Sequence, residues 1–180
     1  MANNLGKKFE EQIRKSFEKV PNVSIDRLHD QMSGFQGSSN ICDFIVYREP
    51  YEYYFECKSV HGNTLSIHSN AKPDKNGRFH GFYGNITDTQ WEGLLEKSKI
   101  PGVIAGVICW WVDKDITRFI PIQTLVTMRE YGFKSYKYDT DVYQTDRSYV
   151  LKGKKKKVFF DYDMSGFLDD VTAVERWRWK

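Results

Sequence analysis

Three charged residues, Asp43, Glu56 and Lys58, lie in two segments whose other residues favour buried β-strands. The Arg48-Glu49-Pro50 turn between the segments predicts a hairpin, which would bring Asp43 beside the other two. Glu56 and Lys58 are separated by one residue, so on a strand they point to the same face. Charges in the middle of apolar strands are costly unless they pair or bind something. Two carboxylates beside an amine therefore indicate a site for a divalent cation.

The chemistry expected of such a site is metal-assisted hydrolysis. Mg²⁺ or Mn²⁺ prefers oxygen ligands, and Asp43, Glu56 and the carbonyl of Cys57 would supply three of them and leave positions for water. The ion would activate water and polarise a phosphate. Lys58 would orient the attacking water, help to deprotonate it or offset the charge on the phosphate. The structural alternative is a salt bridge between Glu56 and Lys58 on a solvated sheet face.

An amphipathic helix is predicted ahead of these strands. Its apolar residues recur at about four-residue spacing until Pro21 ends the helix, and they are Leu5, Phe9, Ile13, Phe17 and Val20. Glu10 lies on the flank of this apolar stripe, so its carboxylate can reach inward as an outer ligand of the metal.

The rest of the sequence predicts alternating strands and helices around the charged set. Strands are predicted over residues 41–47, with Asp43 inside, and over 51–60, 62–67, 103–112 and 116–121. A capping box, Thr87-x-x-Gln90, opens one helix, and further helices are predicted over 122–131 and 165–174.

The order of a helix acid, a strand Asp and Glu-x-Lys resembles the PD-(D/E)xK nuclease superfamily, although Cys42 stands where that pattern has Pro. Over residues 5–132 the chain looks most like the RecU type of Holliday junction resolvase. The likeness is carried by Gly6-Lys-Lys-Phe-Glu10-Glu, Ser38-Ser-Asn-Ile-Cys-Asp43-Phe, Tyr54-Phe-Glu56-Cys-Lys58-Ser, Asn85-Ile-Thr-Asp-Thr-Gln90-Trp-Glu, and the strand pair 107–112 and 116–120. The segment before Asp43 is shorter than in cellular members of the family.

The resemblance implies an α/β, restriction-endonuclease-like fold with a central mixed β-sheet flanked by α-helices. It implies a catalytic set of Glu10, Asp43, Glu56, Lys58 and Gln90, with Mg²⁺ as cofactor. It also implies a homodimer that resolves four-way DNA junctions by paired symmetric nicks. Gln90 is equally explained as a capping-box residue, and the two roles are compatible.

Basic and polar residues outside this set are candidates for contact with DNA. Arg27, Ser38 and Ser39 lie in the segment before Asp43, and Lys152 and Lys154, Lys155, Lys156 and Lys157 form a basic cluster. The final residues, 176–180, alternate Arg and Trp before Lys180. Such a composition suits phosphate pairing and base stacking, and a solvated surface turn and a packed tail are the alternatives.

Length and composition limit the classes of protein to which the chain can belong. The chain has 180 residues, 40% hydrophobic and 28% charged, with a net charge of +3. One domain over residues 1–180 is expected, with its core in about 1–132 and a basic, aromatic extension over 133–180. The absence of a membrane-length apolar run, a signal peptide or a disulfide pattern predicts a cytoplasmic protein. No nucleotide-binding loop is present, so no nucleotide cofactor is expected.

Three functions remain open on the sequence. The first is the junction resolvase, and the second is a PD-(D/E)xK nuclease that acts on linear duplex, flap or single-stranded DNA. The third is a non-catalytic DNA-binding module, in which Asp43, Glu56 and Lys58 form only salt bridges.

Overall fold

The fold was examined in a computed structural model, which describes residues 3–28, 40–67, 72–73, 79–80, 82–139 and 147–175. Four α-helices lie in these ranges: α1 (Asn3–Phe17), α2 (Asp88–Lys97), α3 (Ile122–Glu130) and α4 (Met164–Glu175). The strands are β1 (Ser24–Arg27), β2 (Phe44–Arg48), β3 (Tyr51–Val60), β4 (Thr64–Ser66), β5 (Lys72–Pro73), β6 (Phe79–His80), β7 (Phe82–Tyr83), β8 (Ile86–Thr87), β9 (Val103–Trp111), β10 (Ile116–Pro121), β11 (Ser135–Lys137), β12 (Tyr149–Val150), β13 (Gly153–Lys155) and β14 (Phe160–Tyr162).

A six-stranded sheet forms the centre of the fold, in the order β1-β2-β3-β9-β10-β12. The central pair, β3 and β9, is parallel, and the neighbouring pairs are antiparallel. Two parallel strands need a crossover connection between them, and α2 lies in that connection. The predicted α/β class, with a central mixed sheet flanked by helices, is confirmed.

Each face of this sheet carries its own apolar core. The first core holds Phe9, Ile13 and Phe17 of α1 and Phe167, Leu168 and Val171 of α4, packed on Phe55, Cys57 and Trp110 of the sheet. The second core holds Trp91 and Leu94 of α2 and Ile122, Leu125 and Met128 of α3. Because side chains alternate along a strand, successive residues of β3 enter opposite cores.

Most of the predicted helices and strands occur where the sequence places them. The third strand, β4, does not extend the hairpin of β2 and β3 but pairs with β11 in a separate two-stranded sheet. The boundary near residue 132 is also corrected. Residues beyond it complete the first core, namely Leu151, Tyr162, Met164, Phe167, Leu168 and Val171, and β12 adds an edge strand to the main sheet.

Within the described ranges, no helix is both long enough and apolar enough to cross a bilayer.

Candidate active site

The candidate site lies where β3 extends beyond Phe44, the first residue of β2. The two strands pair from Arg48–Tyr51 to Phe44–Phe55, so residues 56–60 of β3 keep only β9 as a partner. The backbone groups of β3 that point away from β9 are therefore open to side chains that approach from beyond β2.

Asp43 is the residue that fills this opening. It lies in a bend one residue before β2, not inside the strand as predicted from the sequence. Its N–H donates to the Phe55 carbonyl at 3.0 Å, and its own carbonyl accepts from the N–H of Leu28 at 2.9 Å. Its carboxylate Oδ2 accepts from the N–H of Cys57 at 2.7 Å. The Asp43 carboxylate thus takes the place of the next backbone partner of β3, and for this reason β2 begins only at Phe44.

Cys57 places a backbone oxygen at the same opening. The N–H and C=O of one residue point to the same neighbour in an antiparallel ladder. Since the Cys57 N–H reaches Asp43, the Cys57 carbonyl points to the same side of β3. The Cys57 side chain points into the first core, and burial raises the pKa of its thiol well above the usual range.

Glu56 and Lys58 share the opposite face of β3 and contact each other directly. The Lys58 ammonium lies 2.7 Å from Glu56 Oε1, and the Glu56 side chain is only 3% exposed. Buried ion pairs of this kind are costly to desolvate. The salt bridge of the structural alternative is therefore present, but the Glu56 side chain is buried and does not lie on a solvated face.

The two oxygens of Glu56 have different surroundings. Oε1 accepts from Lys58 and also from the side-chain amide of Gln90 at 2.7 Å. Oε2 is buried and has no hydrogen-bond partner among the residues that the structure describes. An unsatisfied buried carboxylate oxygen costs free energy comparable to a lost charge-assisted hydrogen bond.

Burial also shifts the titration of both carboxylates. Burial and the negative charge of Asp43 together raise the pKa of Glu56 to about 8, against the opposing effect of Lys58. Burial raises the pKa of Asp43 to about 6, although the hydrogen bond from Cys57 acts in the other direction. Two carboxyl groups that are both hard to ionise in one place favour either a proton or a cation.

Gln90 belongs both to the site and to the start of α2. Its backbone N–H donates to the Thr87 hydroxyl at 3.2 Å, and its side-chain Oε1 accepts from the Thr87 N–H at 3.0 Å, so the predicted capping box is confirmed. The same Oε1 accepts from Lys58 at 3.3 Å, while Nε2 donates to Glu56. The cap therefore fixes the Gln90 side chain in the position from which it reaches both residues.

Glu10 approaches the site from α1. Its carboxylate is 20% exposed and accepts from the Arg27 guanidinium at 2.7 Å. The negative charge of Glu10 contributes to the raised pKa of Asp43, and the positive charge of Arg27 opposes it. The helix acid therefore does reach inward, and Arg27 lies beside the carboxylates.

This pairing of Glu10 with Arg27 was missed by the sequence analysis, which placed Arg27 among loop residues. β1 carries Arg27 into the sheet, opposite Phe44. The signal that could have found it is weak, because β1 is four residues long and only half-buried at alternate positions.

The oxygens at this site suit a hard divalent cation. Asp43, Glu56 and the Cys57 carbonyl supply oxygen donors, and a cation would provide the partner that Glu56 Oε2 lacks within the described part of the chain. In the described ranges, no three His, Cys, Asp or Glu side chains are arranged to hold a metal by themselves. A cation here would thus depend on two carboxylates, a carbonyl and water.

The other predicted DNA contacts are divided between described and undescribed parts of the chain. Ser38, Ser39 and residues 176–180 lie outside the described residues. Lys154, Lys155, Lys156 and Lys157 are exposed on and after β13.

Comparison with known proteins gave a match only among solved structures. No protein-family model matches the sequence, and no curated protein is significantly similar to it. Twelve chains of solved structures match. One of them is Hjc, a Holliday junction resolvase from the archaeal hyperthermophile Archaeoglobus fulgidus, at 16% sequence identity and a TM-score of 0.42. The match covers 66% of this chain and 74% of that one. Because the identity and TM-score are this low, the function has to be argued from the site itself.

Proposed function

We propose that the protein is a metal-dependent endodeoxyribonuclease of the PD-(D/E)xK type with a restriction-endonuclease-like fold. The observation that carries the proposal is the buried Glu56 Oε2, which has no hydrogen-bond partner among the described residues, in a carboxylate close enough to Asp43 for their charges to interact. Buried polar atoms in native proteins are almost always satisfied. A cation bound by these oxygens would satisfy Oε2 and offset the charge that burial makes unfavourable.

Asp43, Glu56 and the carbonyl of Cys57 would hold Mg²⁺, with Mn²⁺ as a substitute. Such an ion supplies Lewis-acid polarisation of a phosphate and neutralises charge on its oxygens. Gln90 and Lys58 both occupy Glu56 Oε1, which leaves Oε2 as the oxygen for the ion. These two residues therefore orient the ligand carboxylate.

Lys58 would have a second task in hydrolysis of the phosphodiester. Water attacks phosphorus, the bond to the leaving oxygen breaks, and negative charge builds up on the non-bridging oxygens. The Lys58 ammonium carries three donors, and its side chain is 21% exposed, so it can donate to such an oxygen while it stays beside Glu56. Stabilisation of developing charge by a positioned donor is among the largest contributions to catalysis.

Glu10 and Arg27 would adjust the charge at the edge of the site. The Arg27 guanidinium balances Glu10 and is well suited to phosphate oxygens. We propose that Glu10 contributes as an outer carboxylate and that Arg27 contacts the DNA backbone near the cleaved bond.

We further propose four-way DNA junctions as the substrate, on the strength of the resemblance to RecU-type resolvases. Paired, symmetric nicks need two active sites related by a twofold axis, so the proposal includes a homodimer. The site chemistry by itself is common to nucleases that act on linear duplex, flap or single-stranded DNA.

The test compares a labelled four-way junction with a linear duplex of matching sequence. Each is incubated with the wild-type protein and with Asp43→Asn, in Mg²⁺ and in EDTA. Symmetric nicking of the junction alone, dependent on Mg²⁺ and lost in the variant, is expected. Equal cleavage of the duplex would replace the resolvase by a general nuclease. Binding without cleavage in Mg²⁺ or Mn²⁺ would leave only a DNA-binding module.

A further inference from the structure

The C-terminal hairpin, residues 152–163, combines exposed lysines with aromatic residues that are buried or half-buried. Lys152 and Lys154 to Lys157 are all exposed, whereas Phe159 and Phe160 are half-buried and Tyr162 is buried. Backbone hydrogen bonds run the length of the hairpin, from Asp163 N–H to the Lys152 carbonyl and from Lys156 N–H to the Phe159 carbonyl. The lysines are therefore displayed from a regular strand pair.

Aromatic residues of the hairpin attach it to the rest of the domain. The Tyr162 hydroxyl hydrogen bonds to the Thr117 hydroxyl at 2.8 Å, and the Tyr162 N–H donates to the Ser16 hydroxyl at 3.2 Å. The Phe159 ring lies 5.4 Å from the ring of Trp110. These contacts hold the exposed lysines of the hairpin in a fixed position relative to the sheet.

Acidic neighbours neutralise only part of this surface. Lys155 pairs with Asp115, and Lys156 and Lys19 both pair with Asp161. The side chains of Lys154 and Lys157 form no hydrogen bond or ion pair with another described residue. Concentrated like charge destabilises a folded protein through self-repulsion, so an excess of this kind suits an anionic partner.

The hairpin and Glu56 lie on opposite faces of the sheet. Trp110 and Tyr162 belong to the first core, as does Cys57. Glu56, next to Cys57 along β3, points to the other face, where it meets Gln90 of α2. The hairpin therefore shares its face of the sheet with α1, and the sheet lies between the hairpin and Glu56.

We infer that the C-terminal hairpin is a second DNA-binding surface, which holds the phosphate backbone of a duplex segment other than the one being cleaved. The inference rests on the proposed nuclease function for the identity of the polyanion. Lysine contacts to phosphates add affinity without regard to sequence and release counterions. The surface should therefore contribute to binding of a large, branched substrate and not to the chemical step.

The test uses the full chain with Lys154→Gln and Lys157→Gln combined. Affinity for a four-way junction is measured in EDTA over a series of NaCl concentrations, with long-armed and short-armed junctions. We expect binding of the long-armed junction to weaken by about tenfold at low salt and the slope of log affinity against log salt to fall by about 2. Affinity for the short-armed junction and the single-turnover cleavage rate at saturating DNA should equal those of the wild type.

Two control proteins separate charge from position. Lys154→Arg combined with Lys157→Arg keeps both charges and should bind as the wild type does. Lys99→Gln removes an exposed lysine just beyond the C-terminal end of α2 and should leave the salt slope of the long-armed junction unchanged. An unchanged slope in the hairpin variant, or equal losses with both junctions, would overturn the inference. Weaker binding to heparin with unchanged binding to DNA would also overturn it.

Failure of the nuclease proposal would look different. If the wild type never cleaves but the hairpin variant still loses affinity and slope for the long-armed junction, the second surface stands and the catalysis does not. If the wild type cleaves and the slope is unchanged, the reverse holds.

Discussion

Gln90 donates from its side-chain amide to Glu56 Oε1 at 2.7 Å, while its side-chain oxygen accepts from the backbone N–H of Thr87, the N-cap residue of α2. One side chain thus joins the start of a helix to a buried carboxylate on a neighbouring strand. The stability of the cap and the orientation of Glu56 are coupled through it. This coupling can be separated by mutation, because Thr87 takes part in the cap and not in the contact with Glu56.

Gln90→Ala should lower both stability and activity. Loss of the cap and of the hydrogen bond to a buried carboxylate is expected to cost about 1–3 kcal/mol of unfolding free energy. The misplaced Glu56 should reduce single-turnover cleavage by at least about tenfold, equivalent to about 1.4 kcal/mol in the barrier. Urea denaturation and quenched cleavage assays with saturating DNA measure the two effects.

Thr87→Ala is the matched control for that variant. It removes the hydroxyl that accepts from the Gln90 N–H, so it should cost about 1 kcal/mol of stability, as other N-cap substitutions do. Cleavage should stay near the wild-type rate. Equal losses of activity in Thr87→Ala and Gln90→Ala would mean that Gln90 acts only through the helix.

Mg²⁺ should stabilise the folded protein through Asp43 and Glu56. A ligand that binds only the native state raises stability by about 2.7 kcal/mol at a hundredfold excess over its Kd. At pH 8 we expect Mg²⁺ to raise the melting temperature of the wild type, and to leave that of Asp43→Asn and Glu56→Gln unchanged. Glu52→Gln, a substitution of another acid on β3, should respond as the wild type does. A response to Mg²⁺ that survives in Glu56→Gln would place the ion elsewhere.

The metal-free protein should become less stable as the pH rises. The pKa of Asp43 is raised from 3.8 to about 6 and that of Glu56 from 4.5 to about 8, so between about pH 4 and pH 8 the native state holds protons that the unfolded state has released. Stability then falls with increasing pH across this window. Melting temperatures in EDTA from pH 5 to pH 9 measure the slope, in buffers of constant ionic strength.

Glu56→Gln should flatten the pH dependence of stability above about pH 6. The raised pKa of Asp43 then remains, and it affects stability only below about pH 6. The same substitution keeps the shape of the side chain. An unchanged slope in Glu56→Gln would show that the pH dependence arises from other groups.

The sequence was sufficient for the site residues that lie on regular, strongly patterned elements. Alternation along β3 put Glu56 and Lys58 on one face, and the helical stripe of α1 put Glu10 on its flank, as the structure has them. The local sequence pattern did not predict the positions of residues that are fixed by tertiary contacts. Asp43 leaves the strand because its side chain takes the Cys57 N–H, and Arg27 reaches Glu10 through a short edge strand that has little periodicity.

The C-terminal segment was misjudged for a related reason. Its lysines dominate the composition of residues 152–157, whereas the residues that matter for packing are spread thinly between polar ones. Tyr162 and Leu168 become core residues only because α1 and the sheet provide the opposite surface. Burial of this kind depends on the topology, which no local window contains.

Leu168→Ala tests whether this segment is part of the folding unit. Leu168 is fully buried in the first core, together with Phe55 and Phe119 from the centre of the sheet. Truncation should cost about 2–5 kcal/mol of unfolding free energy, as for other buried leucines. Asp170→Ala, at an exposed position on the same helix, should change stability by no more than about 0.5 kcal/mol. Urea unfolding followed by tryptophan fluorescence reports on Trp110 and Trp111 in the two cores. If Leu168→Ala unfolds at the same midpoint as the wild type, α4 is an independent extension and the core ends before it.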